Sequence, residues 1–202
     1  MEEHKQLKNL YEQVISGKFK WDRWGLLSVL SDYVLYYTSG DLVEIGCGES
    51  SIYFSKLAEK YNRICFHCEY SRSGVENMKN TKGYFGKNSK VYTSKSDDFF
   101  KDVNLPPIAL GFIDGDHTYE QVKKDFLNLS NYVVKNGFIF LHDTYPPDKS
   151  WTIPSKCGTV YKLRQELETW VGVFEVFTFT RSAFDVGLTI VKTLSSRNQR
   201  NF

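Results

Sequence analysis

The chain has 202 residues, enough for one domain with a sizeable core. Its 26 Lys and Arg against 24 Asp and Glu leave a net charge of +2, which gives no electrostatic reason to expect nucleic acid or a membrane surface as a partner. With 41% hydrophobic and 25% charged residues the composition is that of a globular protein, and no apolar run nears the roughly 20 residues needed to span a bilayer.

Leu7, Leu10, Tyr11, Val14 and Ile15 fall near helical spacing, so residues 1–16 predict an amphipathic helix that ends at Gly17. A charged segment with two tryptophans, 18–25, follows. Leu26, Leu27, Val29, Leu30, Val34 and Leu35 then predict a second helix, stopping at Ser39-Gly40. From there short apolar strands at 41–46, 63–69, 90–94, 108–114 and 137–143 alternate with helices at 51–60, 75–80, 97–103 and from 119 onward. The last of these helices carries Tyr119, Val122, Phe126, Leu129 and Val133 as one stripe. A Pro-rich loop, 144–155, leads to a helix near 158–170. Strands at 173–179 and 184–191 close the chain, read as an antiparallel pair across the 180–183 link, and the tail from 195 frays.

Strands alternating with helices predict an α/β fold built on a seven-stranded, mostly parallel, doubly wound sheet. The expected organisation is a single domain: a helical N-terminal extension (1–38), a core (39–194) and a tail (195–202). Cys47, Cys65, Cys68 and Cys157 are too few and too scattered for a disulfide framework. Cys65 and Cys68 lack a second ligand pair for zinc, and three apart on a strand they face opposite sides. The charged N-terminus lacks the pattern of a signal peptide, so a reduced, cytoplasmic protein is expected.

In open parallel sheets ligands bind beyond the carboxyl ends of the strands. Four predicted strand ends carry acids or a glycine turn: Glu44 to Ser51, Glu69-Tyr70, Asp114 to His117, and His142-Asp143. Gly46 and Gly48 allow close backbone approach to a ligand, and the helix that follows offers free N–H groups. Glu69, 23 residues after Gly46, suits the two hydroxyls of a ribose. A dinucleotide fingerprint needs a third glycine, and that position is Ser51, which disfavours a nicotinamide-dependent oxidoreductase. A cofactor-binding protein without turnover is the third reading.

The Glu44–Ser51 turn resembles the cofactor loop of class I S-adenosylmethionine-dependent methyltransferases. FIDGDHTYEQVKKDF (112–126) resembles a stretch of small-molecule O-methyltransferases, among them metal-dependent sugar and antibiotic-tailoring enzymes related in fold to catechol O-methyltransferase. The resemblance runs from about Asp41 to Val191. It implies a Rossmann-like fold and S-adenosylmethionine held by Glu44, Gly46, Cys47, Gly48, Ser50, Ser51, Glu69, Tyr70, Ser96, Asp97 and Asp114. Glu44 would meet the cationic amine of the methionine moiety, and Ser96-Asp97 would face the adenine amine. Asp114 would lie beside the transferable methyl, with Asp116 or His117 taking the acceptor's proton. Asp114 and Asp143 would hold Mg²⁺ or another divalent cation. Thr144 departs from the Asn or Asp that commonly follows the second metal carboxylate, and its hydroxyl is a weaker ligand.

The chemistry agrees with such a site. Methyl transfer from a sulfonium is an in-line displacement, so positioning dominates, and a hydroxyl acceptor must lose its proton or bind a cation. Nucleic-acid amino-methyltransferases carry an acid or Asn followed by Pro-Pro-aromatic after the fourth strand, where this chain has Ile113-Asp114-Gly115. The expected acceptor is the hydroxyl of a small molecule such as a sugar or secondary metabolite, with no nucleic-acid or membrane partner. A homo-oligomer is compatible with the chain. Trp21, Trp24, Tyr145 and Trp151 stand where rings would cover a pocket at the sheet's carboxyl edge.

Overall fold

The computed structural model describes residues 23–81, 83–170, 172–180 and 186–195. The predicted helix at 1–16, Trp21, most of the 180–183 link and all but the first residue of the tail lie outside them. The elements in order are α1 (Arg23–Tyr37), β1 (Asp41–Ile45), α2 (Ser50–Lys60), β2 (Cys65–Glu69), α3 (Arg72–Asn80), β3 (Ser89–Thr93) and α4 (Ser96–Asp102). Then come β4 (Ile108–Ile113), α5 (Tyr119–Ser130), β5 (Val133–His142), a 3₁₀ turn (Lys149–Trp151), α6 (Tyr161–Leu167), β6 (Phe174–Phe179) and β7 (Leu188–Thr193). No helix among the described residues is long and apolar enough to cross a membrane.

The seven strands form one sheet in the order β3-β2-β1-β4-β5-β7-β6. The β1–β2, β2–β3, β1–β4 and β4–β5 pairs are parallel, and β7 joins β5 and β6 antiparallel. The predicted antiparallel pair is therefore present. The chain runs from β1 outward to β3, returns, and continues on the other side of β1 with β4. That reversal puts a crevice beyond the ends of β1 and β4, where parallel sheets bind ligands.

Side chains alternate between the two faces of the sheet. Val43, Ile45, Phe66 and Cys68 pack with Phe99 of α4, Val122, Phe126 and Leu129 of α5, and Leu163 of α6. Leu42, Cys65, Leu110 and Phe112 pack on the other face with Leu27 and Leu35 of α1 and Phe54 and Leu57 of α2. Cys65 and Cys68 lie on opposite faces, as their spacing predicts. Val133 departs from the predicted helical stripe: it opens β5 opposite Ile108, because α5 ends at Ser130 and the chain turns through Asn131 and Tyr132.

Candidate active site

A cleft of about 510 Å³ opens beyond the ends of β1, β2 and β4, against the first turns of α4 and α5. Gly46, Glu69, Tyr70, Ser96, Asp97, Asp114 and Asp116 line it, as do Lys95, Gln121 and Asp125. Its size suits a small organic ligand or nucleoside. Glu69 ends β2, and its carboxylate ties two loops together. Oε2 accepts from the Cys47 N–H at 2.9 Å and Oε1 from the Ser71 N–H at 2.7 Å. Each oxygen keeps a further lone pair, so a vicinal diol can still donate to it. Tyr70 is 70% exposed beside it, with the Lys95 ammonium 5.7 Å from the ring centre.

Glu44 does not face the cleft. Strand alternation puts it on the same side as Leu42, against α2, and it is fully buried. Its carboxylate accepts from Ser50 Oγ at 2.5 Å, Ser51 Oγ at 2.7 Å and His67 Nδ1 at 2.6 Å. His67 is its register partner on β2. The side chains of Glu44, Ser50 and Ser51 thus brace β1 against α2 and β2 instead of reaching into the cleft, contrary to the expected meeting of the Glu44 carboxylate with the cofactor amine. Cys47 also turns inward, its thiol within 4.8 Å of the Glu44 and His67 donor atoms.

The two glycines serve different ends. Gly46 has φ +84°, and a Cβ there would lie 2.2 Å from the Asp114 carbonyl oxygen. It is glycine because the β1 and β4 loops touch backbone to backbone, a constraint of packing. A Cβ on Gly48 would meet no atom of the described residues within 4 Å.

At the Asp114 end of the cleft the carboxyl ends of β4 and β5 bring together Asp114, His117 and Asp143, whose donor atoms all lie within 4.8 Å of one another. His117 Nε2 is 3.1 Å from Asp143 Oδ2 and 3.8 Å from Asp114 Oδ1. His117 Nδ1 bonds to the Lys156 carbonyl, which fixes the ring from behind. The pull of the nearby Asp114 carboxylate foremost, and the charge of Asp143, outweigh burial and raise its pKa. Buried His142 sits between the carboxylates, with Nδ1 3.0 Å from Asp114 Oδ1 and 3.5 Å from Asp143 Oδ1. Burial opposes charge on both His142 and Asp114, but their mutual attraction prevails. It holds the imidazole above its ordinary range and the carboxyl below its own. Asp143 has φ 59°, the left-handed region that costs a non-glycine residue energy and that aspartate tolerates better than most.

Asp116 stands apart from this cluster. It is exposed, lines the cleft, and accepts from the Thr118 N–H at 2.7 Å, shaping the turn into α5. The cap of α5 is Thr118. Thr144 is fully buried, its hydroxyl without a hydrogen-bond partner among the described residues. Of the expected pocket rings, Trp24 stacks on His142 at 5.9 Å and donates to Glu49 at 2.6 Å, closing the N-terminal side of the cluster. Tyr145 and Trp151 pair instead with Arg164 and Lys156.

Sequence reasoning missed His142 as the bridge between the carboxylates, and Gln121 and Asp125 as cleft residues. Gln121 and Asp125 lie four apart on α5, and their i,i+4 spacing from one another was the available signal. Nothing local marks either as facing α4.

A family model described as "Methyltransferase domain" matches residues 43–144, which span β1 through the end of β5. No curated protein matches the chain. Among solved structures, the O-methyltransferase TomG of Streptomyces achromogenes, involved in tomaymycin synthesis and solved with S-adenosylmethionine, superposes with a TM-score of 0.63 at 15% identity, over 85% of this chain and 79% of that one. An O-methyltransferase from Bacillus cereus, in complex with S-adenosylhomocysteine, does so with a TM-score of 0.65 at 14% identity, over 91% and 88%. An rRNA methylase from Streptococcus thermophilus shares the fold with a TM-score of 0.54 at 10% identity, over 82% and 95%.

Proposed function

The chain belongs to the methyltransferase-domain family, and from that premise we propose that it is an S-adenosylmethionine-dependent O-methyltransferase acting on a small-molecule hydroxyl. The observation that carries this reading is Asp114, which borders both the nucleoside-sized cleft and the His117–Asp143 cluster. Cofactor and proton acceptor thus share one carboxylate. When bound, S-adenosylmethionine supplies an electrophilic methyl group. Glu69 holds the ribose hydroxyls, and Gly48, without a side chain, admits the methionine portion. His117 Nε2 takes the proton of the acceptor hydroxyl, the ring being held through its other nitrogen, and Asp143, which faces Nε2, stabilises the imidazolium that forms. The Lys156 carbonyl keeps the other proton on Nδ1, so Nε2 is the atom presented. His142 keeps the two carboxylates from repelling one another.

The same donors fit a divalent cation: two hard carboxylate oxygens and one imidazole whose far nitrogen is anchored on a backbone carbonyl. Asp114, His117 and Asp143 would hold it, and it would supply Lewis acidity toward the acceptor oxygen. A balanced net charge and the absence of a basic stripe in the sequence support a small acceptor over nucleic acid.

Calorimetric titration tests the cofactor. S-adenosylhomocysteine should bind in the micromolar range and NAD should not. Glu69→Ala should weaken S-adenosylhomocysteine binding by roughly 1.5–3 kcal/mol, the range for hydrogen bonds to a charged group. Failure of the wild-type protein to bind S-adenosylhomocysteine would overturn the reading.

A further inference from the structure

The far end of the cleft, beyond Glu69, is rich in oxygen acceptors. Ser96 and Asp97 begin α4, and Asp125 reaches the same place from α5. One side-chain amide organises all three: Gln121 Nε2 lies 3.1 Å from Ser96 Oγ, 3.0 Å from Asp97 Oδ1 and 3.0 Å from Asp125 Oδ1. The remaining oxygens differ. Asp97 has a half-exposed side chain, and its Oδ2 lies 3.6 Å from the Lys124 ammonium. Asp125 is only 1% exposed, and its Oδ2 is buried with no hydrogen-bond partner among the described residues.

A buried, unmatched carboxylate oxygen is destabilising by roughly 1–3 kcal/mol or more, so such groups persist where a ligand or water completes them. An ionised carboxylate can only accept. Adenine presents acceptors at its ring nitrogens and one donor along its edge, the exocyclic amine. Building on the proposed adenosyl cofactor, we propose that Asp125, rather than Asp97, is the acceptor for the adenine amine, and that this contact selects adenine over a 6-oxo purine. Gln121 is then a positioning residue: its amide donates to Asp125 Oδ1 and leaves Oδ2 for the ligand. Burial first, then the charges of Asp97 and Asp116, push the Asp125 carboxyl up to about 6, against the pull of Ser96 and Gln121. It is therefore still mostly ionised, and an acceptor, at neutral pH.

The test compares S-adenosylhomocysteine with S-inosylhomocysteine, which replaces the amine by a carbonyl, by calorimetry at pH 7.5. The wild-type protein should favour the adenosyl compound by at least about tenfold, the value of one buried hydrogen bond. Asp125→Asn, whose amide can donate to the carbonyl, should bring the ratio below about three or invert it. Asp97→Asn should keep the wild-type ratio within about twofold. A wild-type ratio near one, an unchanged ratio in Asp125→Asn, or a collapse in Asp97→Asn alone overturns the assignment. Should Asp125→Asn fail to fold by circular dichroism, Asp125→Ser replaces it, with the ratio again expected to collapse. Binding of neither compound by the wild-type protein removes the cofactor reading itself. Binding of both without preference removes only the role of Asp125.

Discussion

Replacing Glu44 by Gln separates a brace from a ligand contact. The carboxylate is fully buried and accepts three hydrogen bonds, at 2.5, 2.7 and 2.6 Å, from Ser50, Ser51 and His67. Glutamine preserves the shape but turns one oxygen into an amide that cannot accept, so His67 or a serine loses its partner inside the protein. A buried donor left without its acceptor costs about 1–3 kcal/mol. For a chain of this size that corresponds to a fall in Tm of roughly 2–12 °C. Ser50→Ala removes one donor of the three and should cost about 1–2 kcal/mol. Urea unfolding at constant m-value measures both, and titration with S-adenosylhomocysteine below the transition measures the cofactor site. The structure predicts that loss of stability, with weaker binding following from a loosened loop. A Glu44→Gln protein within about 1 kcal/mol of wild type, yet defective in binding, would refute the placement and return Glu44 to the cofactor amine.

The two glycines should respond in opposite ways. Gly46→Ala puts a Cβ 2.2 Å from the Asp114 carbonyl at φ +84° and should destabilise by about 2–4 kcal/mol, whereas Gly48→Ala meets no atom of the described residues within 4 Å and should leave Tm nearly unchanged while lowering cofactor affinity. Equal melting temperatures for the two would contradict the packing. The Asp125 carboxyl is raised from 3.8 to about 6, so its contribution to stability is complete below pH 4 and lost as pH rises through 6. Asp125→Asn should match wild type in acid and exceed it at pH 7 by up to about 3 kcal/mol, read from Tm against pH; a constant difference across that range would argue against the burial effect. His117 Nε2 serves either as the base or as a metal ligand, and chelation separates the two: methyl transfer should survive exhaustive chelation with His117 as the base, which excludes a catalytic cation, whereas loss on chelation with recovery in Mn²⁺ or Mg²⁺, and an Asp143→Asn enzyme that does not recover, would assign one.

Much of this protein could be read from residue order. Alternation of apolar strands with helices sufficed for the parallel sheet and its antiparallel end, since each strand of a sheet covered on both sides must be apolar throughout. The strand ends of a parallel sheet share one edge, so Glu69, Asp114 and Asp143 could be assigned to one site before any distance was known. The limits were also physical. Strand ends say which edge a residue is near, not which face it takes, and Glu44 went to the α2 face because it lies two residues from Leu42 and in register with His67. The first is local, but which face α2 covers and the register with His67 depend on pairing between elements that are distant in sequence. Gly46 looked like a ligand glycine because local sequence cannot show that the Asp114 backbone occupies its Cβ position. The two acids with their histidines, and the Asp125 oxygen left without a partner among the described residues, exist only where β4, β5, α4 and α5 converge. Residue types and spacing were enough to say that acids gather at the sheet's edge; which oxygen is satisfied, and which is left for a ligand, depended on the packing of elements that sequence holds far apart.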